Sequence, residues 1–233
     1  MTIIGRYMSR DAMEYAAIFD GHGGDQVAEM CATKMHRVLA RHLTLTDDVA
    51  QALRDSYEEM NSLCKNLPDM GATAVMALVI DQKLWISNAG DARAVIAHRS
   101  EGAVRMSFDH KPDAPSEKAR VESVGGQVFS LFGCARVNGM LAVSRAIGDA
   151  GMHPYVSSEP YVNSVDLNGD VDFVILACDG VWDVISDADA VKIVKKASSA
   201  AAAAQLLTQT ALEKNSTDNI SVIVIFFQPP DKW

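Results

Sequence analysis

Four short segments of this sequence place an aspartate in a turn at or beside the end of an apolar run: FDGHGG at 19–24, AGDAR at 89–93, ACDGVWD at 177–183 and STDNIS at 216–221. Strands deliver their ends to a common sheet edge, so aspartates distant in sequence can meet there. Carboxylates brought together raise one another's pKa and need a countercharge. A hard divalent cation such as Mg²⁺ or Mn²⁺, which prefers oxygen ligands, supplies it; nothing in the sequence supports a thiolate- or histidine-rich zinc site. Two such ions about 3.5–4 Å apart would clamp a phosphoryl group and acidify a bridging water, whose hydroxide attacks phosphorus in line. His22, two residues beyond Asp20, is placed to protonate the leaving alkoxide as a general acid.

Taken singly, each element has a plainer reading. An Asp-Gly pair is more often a turn than a ligand, and a lone histidine is more often a polar turn residue than an acid. Asp183 can cap or solvate a helix start, and Asp149 in AIGD reads as a turn. The joint pattern is what points to phosphoryl chemistry. Cys31 and Arg37 have the C-x-x-x-x-x-R spacing of a thiolate phosphatase, but ATKMH between them lacks the glycine a phosphate loop needs and lies in a helical pattern, so Cys31 reads as core.

The elements that must position these residues follow from periodicity. Tyr15 to Phe19 is an apolar run ending at Asp20, and from Asp25 apolar residues recur at helical spacing through Leu39. A second helix follows the cap signal Thr46-Asp47-Asp48. Thr73–Ile80, Leu84–Asn88 and Ala94–Ala97, joined by DQK and AGDAR, read as an antiparallel meander. A short helix over 116–124 stops at Gly125-Gly126, and Asn138-Gly139 signals a type I′ hairpin. Val174–Cys178 is a buried strand ending at Asp179; two helices and a final strand over 220–227 complete the chain. Antiparallel strands interrupted by helix pairs predict an α+β fold, two stacked sheets flanked by helices, in one domain spanning 1–233.

Composition narrows the class. Thirty acidic against 21 basic residues give a net charge of −9, which argues against a nucleic-acid partner. The longest apolar runs are too short to cross a bilayer, and the N-terminus lacks the features of a signal peptide. Four widely spaced cysteines read as reduced thiols. A cytoplasmic location, with the nucleus as the alternative, is the expectation.

FDGHGG, GATA (71–74), NAGDARAVI, DHKP (109–112), VGGQV, LAVSRAIGD (141–149), ACDGVWDV and STDNISVIVI stand in the order seen in type 2C protein phosphatases, and the chain resembles that family from about residue 14 to 227. The resemblance implies a two-sheet sandwich, a binuclear Mn²⁺/Mg²⁺ centre and phosphoserine or phosphothreonine protein substrates. It also implies roles. Asp20 bridges both metals and Gly21 gives its carbonyl to one, while Asp179 and Asp218 bind the other. Asp91 and Asp183, with Asp179, form a weaker third site, and His22 is the general acid. The segment from Asp109 to Arg145 corresponds to the flap beside the substrate cleft, where Arg145 is expected to meet a substrate phosphate.

The sequence departs from the family at its start. Members carry an R-x-x-x-E-D-like segment some twenty-odd residues before the Asp20 position, whose arginine holds the phosphate and whose glutamate completes the second metal site. The 19 residues ahead of Asp20 contain no such motif. Weakened cation affinity is expected, together with missing N-terminal strands and an uncovered sheet edge that would favour a homodimer; Arg6 or Arg10 is the candidate replacement anchor. Two alternatives stay open: a pseudophosphatase that keeps the fold as a binding scaffold, and a hydrolase of small phosphate esters.

Overall fold

The central strands carry apolar residues on both faces, and the architecture explains why. In the computed structural model, which describes every residue except Pro68, Phe132 and Trp233, two sheets stack face to face and helices cover both outer faces. The first sheet contains β1 (Thr2–Ile4), β2 (Met13–His22), β3 (Gly71–Ile80), β4 (Lys83–Ala89), β9 (Ile147–Gly148) and β10 (Tyr161–Asp166). Its strand order is β1-β2-β3-β4-β10, with β9 paired to one end of β3. The second contains β5 (Arg93–His98), β6 (Gly102–Arg105), β11 (Val171–Ala177) and β12 (Val222–Phe226), ordered β12-β11-β5-β6. A separate ribbon pairs β7 (Val128–Leu131) with β8 (Cys134–Val137).

Successive residues of a strand face opposite ways. On β2, Ala16 and Ile18 point between the sheets, where they meet Val75, Ala77, Ile96, Val174 and Leu176. Tyr15, Ala17 and Phe19 point outward beneath α1 (Gln26–Leu45) and α2 (Val49–Leu63). On β11, Phe173 and Ile175 likewise turn outward toward α5 (Asp187–Val194) and α6 (Ala200–Glu213). Both faces are buried, so these strands read as continuous apolar runs rather than alternating ones. The two-sheet α+β expectation holds, and so does the cap signal at Thr46-Asp47-Asp48: Asp48 accepts a hydrogen bond from the Gln51 N–H in the first turn of α2, as Ser186 and Ser199 do at the starts of α5 and α6.

Two expectations give way, and the structure adds one strand. The AGDAR turn does not close a meander: β4 belongs to the first sheet and β5 to the second, so the chain crosses between the sheets at Gly90-Asp91-Ala92. Buried Asn88 fixes that crossing, donating to the carbonyls of Gly90, Ala92 and Phe108 and accepting from the Phe108 N–H. An N-terminal strand is present, because Thr2–Ile4 pairs with Tyr15–Ala17 and covers part of the β2 edge. Lastly, β10, which the sequence pattern did not disclose, covers the other side of β4.

The segment from 109 to 145, apart from residue 132, which lies outside the described residues, folds as α3 (Pro115–Ser123) and the β7–β8 ribbon over a small core of Val121, Val137, Val143, Ala146 and Val156. The Asn138-Gly139 turn has positive φ at both residues, 50° and 73°, as a type I′ turn requires. No helix among the described residues is long and apolar enough to cross a membrane.

Candidate metal centre and active site

Both sheets send strand ends to one cavity of about 290 Å³, lined by Asp20, Gly21, His22, Thr73, Asp91, Arg136, Asp179 and Asp218, with Leu141 to Val143 on one wall. Asp20 comes from the end of β2, paired in register with Thr73. Asp91 comes from the crossing between the sheets. Asp179 opens the single turn α4 (Asp179–Trp182) directly after β11, and Asp218 lies in the loop leading into β12. Gly180 and the 216–221 loop are in close contact: the Ser216 hydroxyl donates to the Gly180 carbonyl at 2.6 Å, and a β-carbon at Gly180 would fall 2.1 Å from the Asn219 carbonyl oxygen. Only glycine lets Asp179 and Asp218 approach on these two loops.

The electrostatics match a cation site. Burial, then the charges of Asp218 and Asp91, push the Asp20 carboxyl up to about 6. Burial, then Asp91, Asp20, Asp218 and Asp183, push Asp179 up to about 7. The Oδ1 atom of Asp179 and the Oγ1 of Thr73 are both buried without a hydrogen-bond partner among the described residues. Cys178 stands beside Asp20 and Asp179, with ligand atoms within 4.8 Å of one another, but it stays a thiol. Burial pushes it up to about 11, and it bonds the Asn219 carbonyl and the Ser221 N–H. What remains is an all-oxygen donor set with an orphaned carboxylate oxygen, which fits a hard divalent cation.

The remaining candidates separate. Asp183 is exposed, one turn beyond Asp179, and does not line the cavity. Asp91 is ion-paired with Lys111 of the DHKP segment, a partner not singled out from sequence. Arg145 is turned away from the cavity: it binds the buried Glu117 carboxylate through Nη2 at 2.6 Å and Nε at 3.1 Å, and its Nη1 reaches the Glu159 carbonyl. The arginine on the cavity wall is Arg136. Arg6 and Arg10 pair with Asp11 and Asp81; they stand at the far end of β2, roughly 30 Å along the strand from His22 at 3.3 Å per residue.

Asp149, read from sequence as a turn, is a turn residue with φ of 49°, and it is also the partner of His22. Its Oδ2 lies 2.7 Å from His22 Nε2, and the carboxylate is 5% exposed. The AIGD segment reaches His22 because β9 pairs with the start of β3, Gly71 opposite Gly148, beside the His22 end of β2.

The family model of protein phosphatase 2C matches residues 4–220. The chain belongs to the protein phosphatase 2C family. It is 40% identical over 218 residues to a probable protein phosphatase 2C from Oryza sativa subsp. japonica, covering 91% of this chain and 68% of that one. Against protein phosphatase 2C homolog 1 of Saccharomyces cerevisiae the identity is 36% over 246 residues, covering 97% and 86%. Among solved structures, a C. elegans sex determining protein superposes with a TM-score of 0.89 at 29% identity over 98% of this chain, which spans 60% of that longer chain. The serine-threonine phosphatase 2C from Toxoplasma gondii superposes at 0.78 with 26% identity, covering 94% of this chain and 86% of that one. This protein phosphatase 2C is therefore an enzyme of a metal-dependent family that acts on phosphoproteins, and its acidic cavity is where a metal fits.

Proposed function

We propose that the protein hydrolyses phosphoserine and phosphothreonine monoesters on proteins with the help of Mn²⁺ or Mg²⁺. The observation that carries this reading is the meeting of Asp20, Asp91, Asp179 and Asp218 around an orphaned carboxylate oxygen, beside a histidine held by a buried carboxylate. Asp20, the Gly21 carbonyl, Asp179 and Asp218 would hold two cations, and Asp91, in exchange for its Lys111 partner, would hold a weaker third at the cavity's edge with Asp183, which lies just outside it. Bound there, divalent cations supply Lewis acidity toward water and toward the phosphoryl oxygens.

The protein's own groups do the rest. Asp149 takes the Nε2–H of His22 and fixes the ring, so Nδ1 is the nitrogen left to exchange a proton. A serine or threonine alkoxide is a poor leaving group, and a proton delivered from His22 as the P–O bond breaks makes its departure feasible. Arg136 brings a permanent positive charge to the cavity wall and is the candidate to orient the phosphorylated substrate. Arg145 instead docks the flap by holding Glu117.

The test is phosphate release from a phosphothreonine peptide across a Mn²⁺ titration, with EDTA and Asp179→Asn as controls. Metal-dependent turnover abolished in both controls is expected; a folded protein without turnover at any Mn²⁺ level would sink the reading.

A further inference from the structure

A second cavity, of about 280 Å³, opens on the far side of His22. It shares His22 and Leu141 with the acidic cavity and is otherwise walled chiefly by Met140 and Met152, with the carboxylates of Asp69 and Asp149 beside them. Its apolar ridge is built rather than incidental. Met140 leaves the type I′ turn 64% exposed, its N–H bonded to the Val137 carbonyl at 2.9 Å and its carbonyl to Arg136 Nη1 at 2.6 Å. Arg136 itself lines the acidic cavity, so one guanidinium ties the two hollows together. Met152 is fixed from the other side, its N–H donating to the Asp149 carbonyl at 2.7 Å.

The position of this hollow is set by the proposed reaction, on whose reading this inference rests. With phosphorus over the carboxylates, the leaving oxygen faces His22. The peptide that carries that oxygen must then emerge on the His22 side. The side chain of an adjacent residue lies within about two residue lengths, ~7 Å, of that oxygen, and His22 and Leu141 are the walls the two cavities share. An unbranched thioether wall adapts to apolar side chains of different shape. The two carboxylates penalise an acidic one.

We infer that the Met140–Met152 hollow is a substrate subsite that receives a large apolar side chain flanking the phosphorylated residue, and that it selects against an acidic neighbour. Binding energy from such a remote contact appears in kcat/KM.

The experiment compares kcat/KM for phosphothreonine peptides in which one neighbour at a time, on either side, is Gly, Leu, Phe or Asp, with p-nitrophenyl phosphate as a substrate lacking any neighbour. On the wild-type enzyme, Leu or Phe at one of the two positions should exceed Gly by about tenfold, with Asp below Gly. Met140→Asp, at an exposed position, should abolish the Leu-over-Gly ratio, and Met152→Ala should shrink it. Turnover of p-nitrophenyl phosphate with a flat peptide profile would overturn the subsite while leaving the phosphatase reading intact. A preference that survives both substitutions would also overturn it, and an enzyme inert toward every substrate would overturn both.

Discussion

A β-carbon at Gly71 would lie 2.0 Å from Asp149 Oδ2 and 2.4 Å from His22 Nε2, so the pair that holds the proposed general acid rests directly on bare backbone. Gly71→Ala should therefore break the pair by force, and Asp149→Asn should weaken it by chemistry. Both should lower kcat on phosphothreonine peptides by roughly 10²-fold. The loss should be much smaller with p-nitrophenyl phosphate, whose leaving group needs no proton. Equal losses on the two substrates would show that the pair is structural only.

Asp179 carries the most crowded carboxyl of the acidic cavity. In EDTA at pH 8, Asp179→Asn should raise the melting temperature by about 3 °C, because one mutually repelling charge is gone. Added Mn²⁺ should stabilise the wild type by about 2.7 kcal/mol at a hundredfold excess over Kd, and the variant much less. Scanning calorimetry with and without Mn²⁺ reads both effects; a variant that responds to Mn²⁺ as the wild type does would remove Asp179 from the ligand set.

At Gly180 the obstruction is backbone, the Asn219 carbonyl, which cannot rotate aside. Gly180→Ala should cost about 2 kcal/mol in urea unfolding and weaken Mn²⁺ binding by isothermal titration, since Asp218 moves with its loop. Unchanged affinity would mean that the loop relaxes without carrying Asp218 along.

His110 is buried and bonded at Nδ1 to the backbone of Gly90, next to Asp91. Burial, then the charge of Arg145, push it down to about 4. In the unfolded chain it takes up a proton near pH 6.5, whereas in the folded state it resists until about pH 4. Its contribution is thus complete above pH 6.5 and is lost progressively as the pH falls toward 4, by up to roughly 3 kcal/mol. Glu117 behaves in the same direction lower down. Despite its burial, the hydrogen bonds and charge of Arg145, with Ser144 and Arg120, hold it at about 2. Its contribution is present above about pH 4.5 and fades as the pH falls toward 2. Unfolding free energies measured from pH 7.5 to 4.5 should fall more steeply in the wild type than in His110→Asn, and parallel curves would refute the assignment.

The part of the site that was legible in sequence is the part whose chemistry is local. Asp20, Asp179 and Asp218 each sit where an apolar run breaks into a turn, and that break is visible without a partner. Asp149 was not legible as a functional group, because its turn conformation accounts for it fully until His22, 127 positions away, is placed beside it. Arg145 and Arg136 are indistinguishable as types, and only the buried Glu117 decides which one is held away from the cavity. In the fold, the turn chemistry of AGDAR says that the chain changes direction but not which sheet receives the next strand. The strand β1 is three residues long, too short for any period to register, and β10 is a partly exposed edge strand of mixed polarity.

The crossing at Gly90-Asp91-Ala92 has a mechanical consequence. Asp20 lies on a strand of one sheet, Asp179 and Asp218 on the segments that leave β11 and enter β12 of the other, and Asp91 on the bridge between the sheets. A cation held by Asp20 and Asp179 would thus act as a rivet through both layers, joining the two sheets at the rim where their strand ends meet. Loading and unloading that rivet should alter amide exchange at the ends of β2 and β11 together, so that occupancy at the rim is felt as stiffness deep in the sandwich.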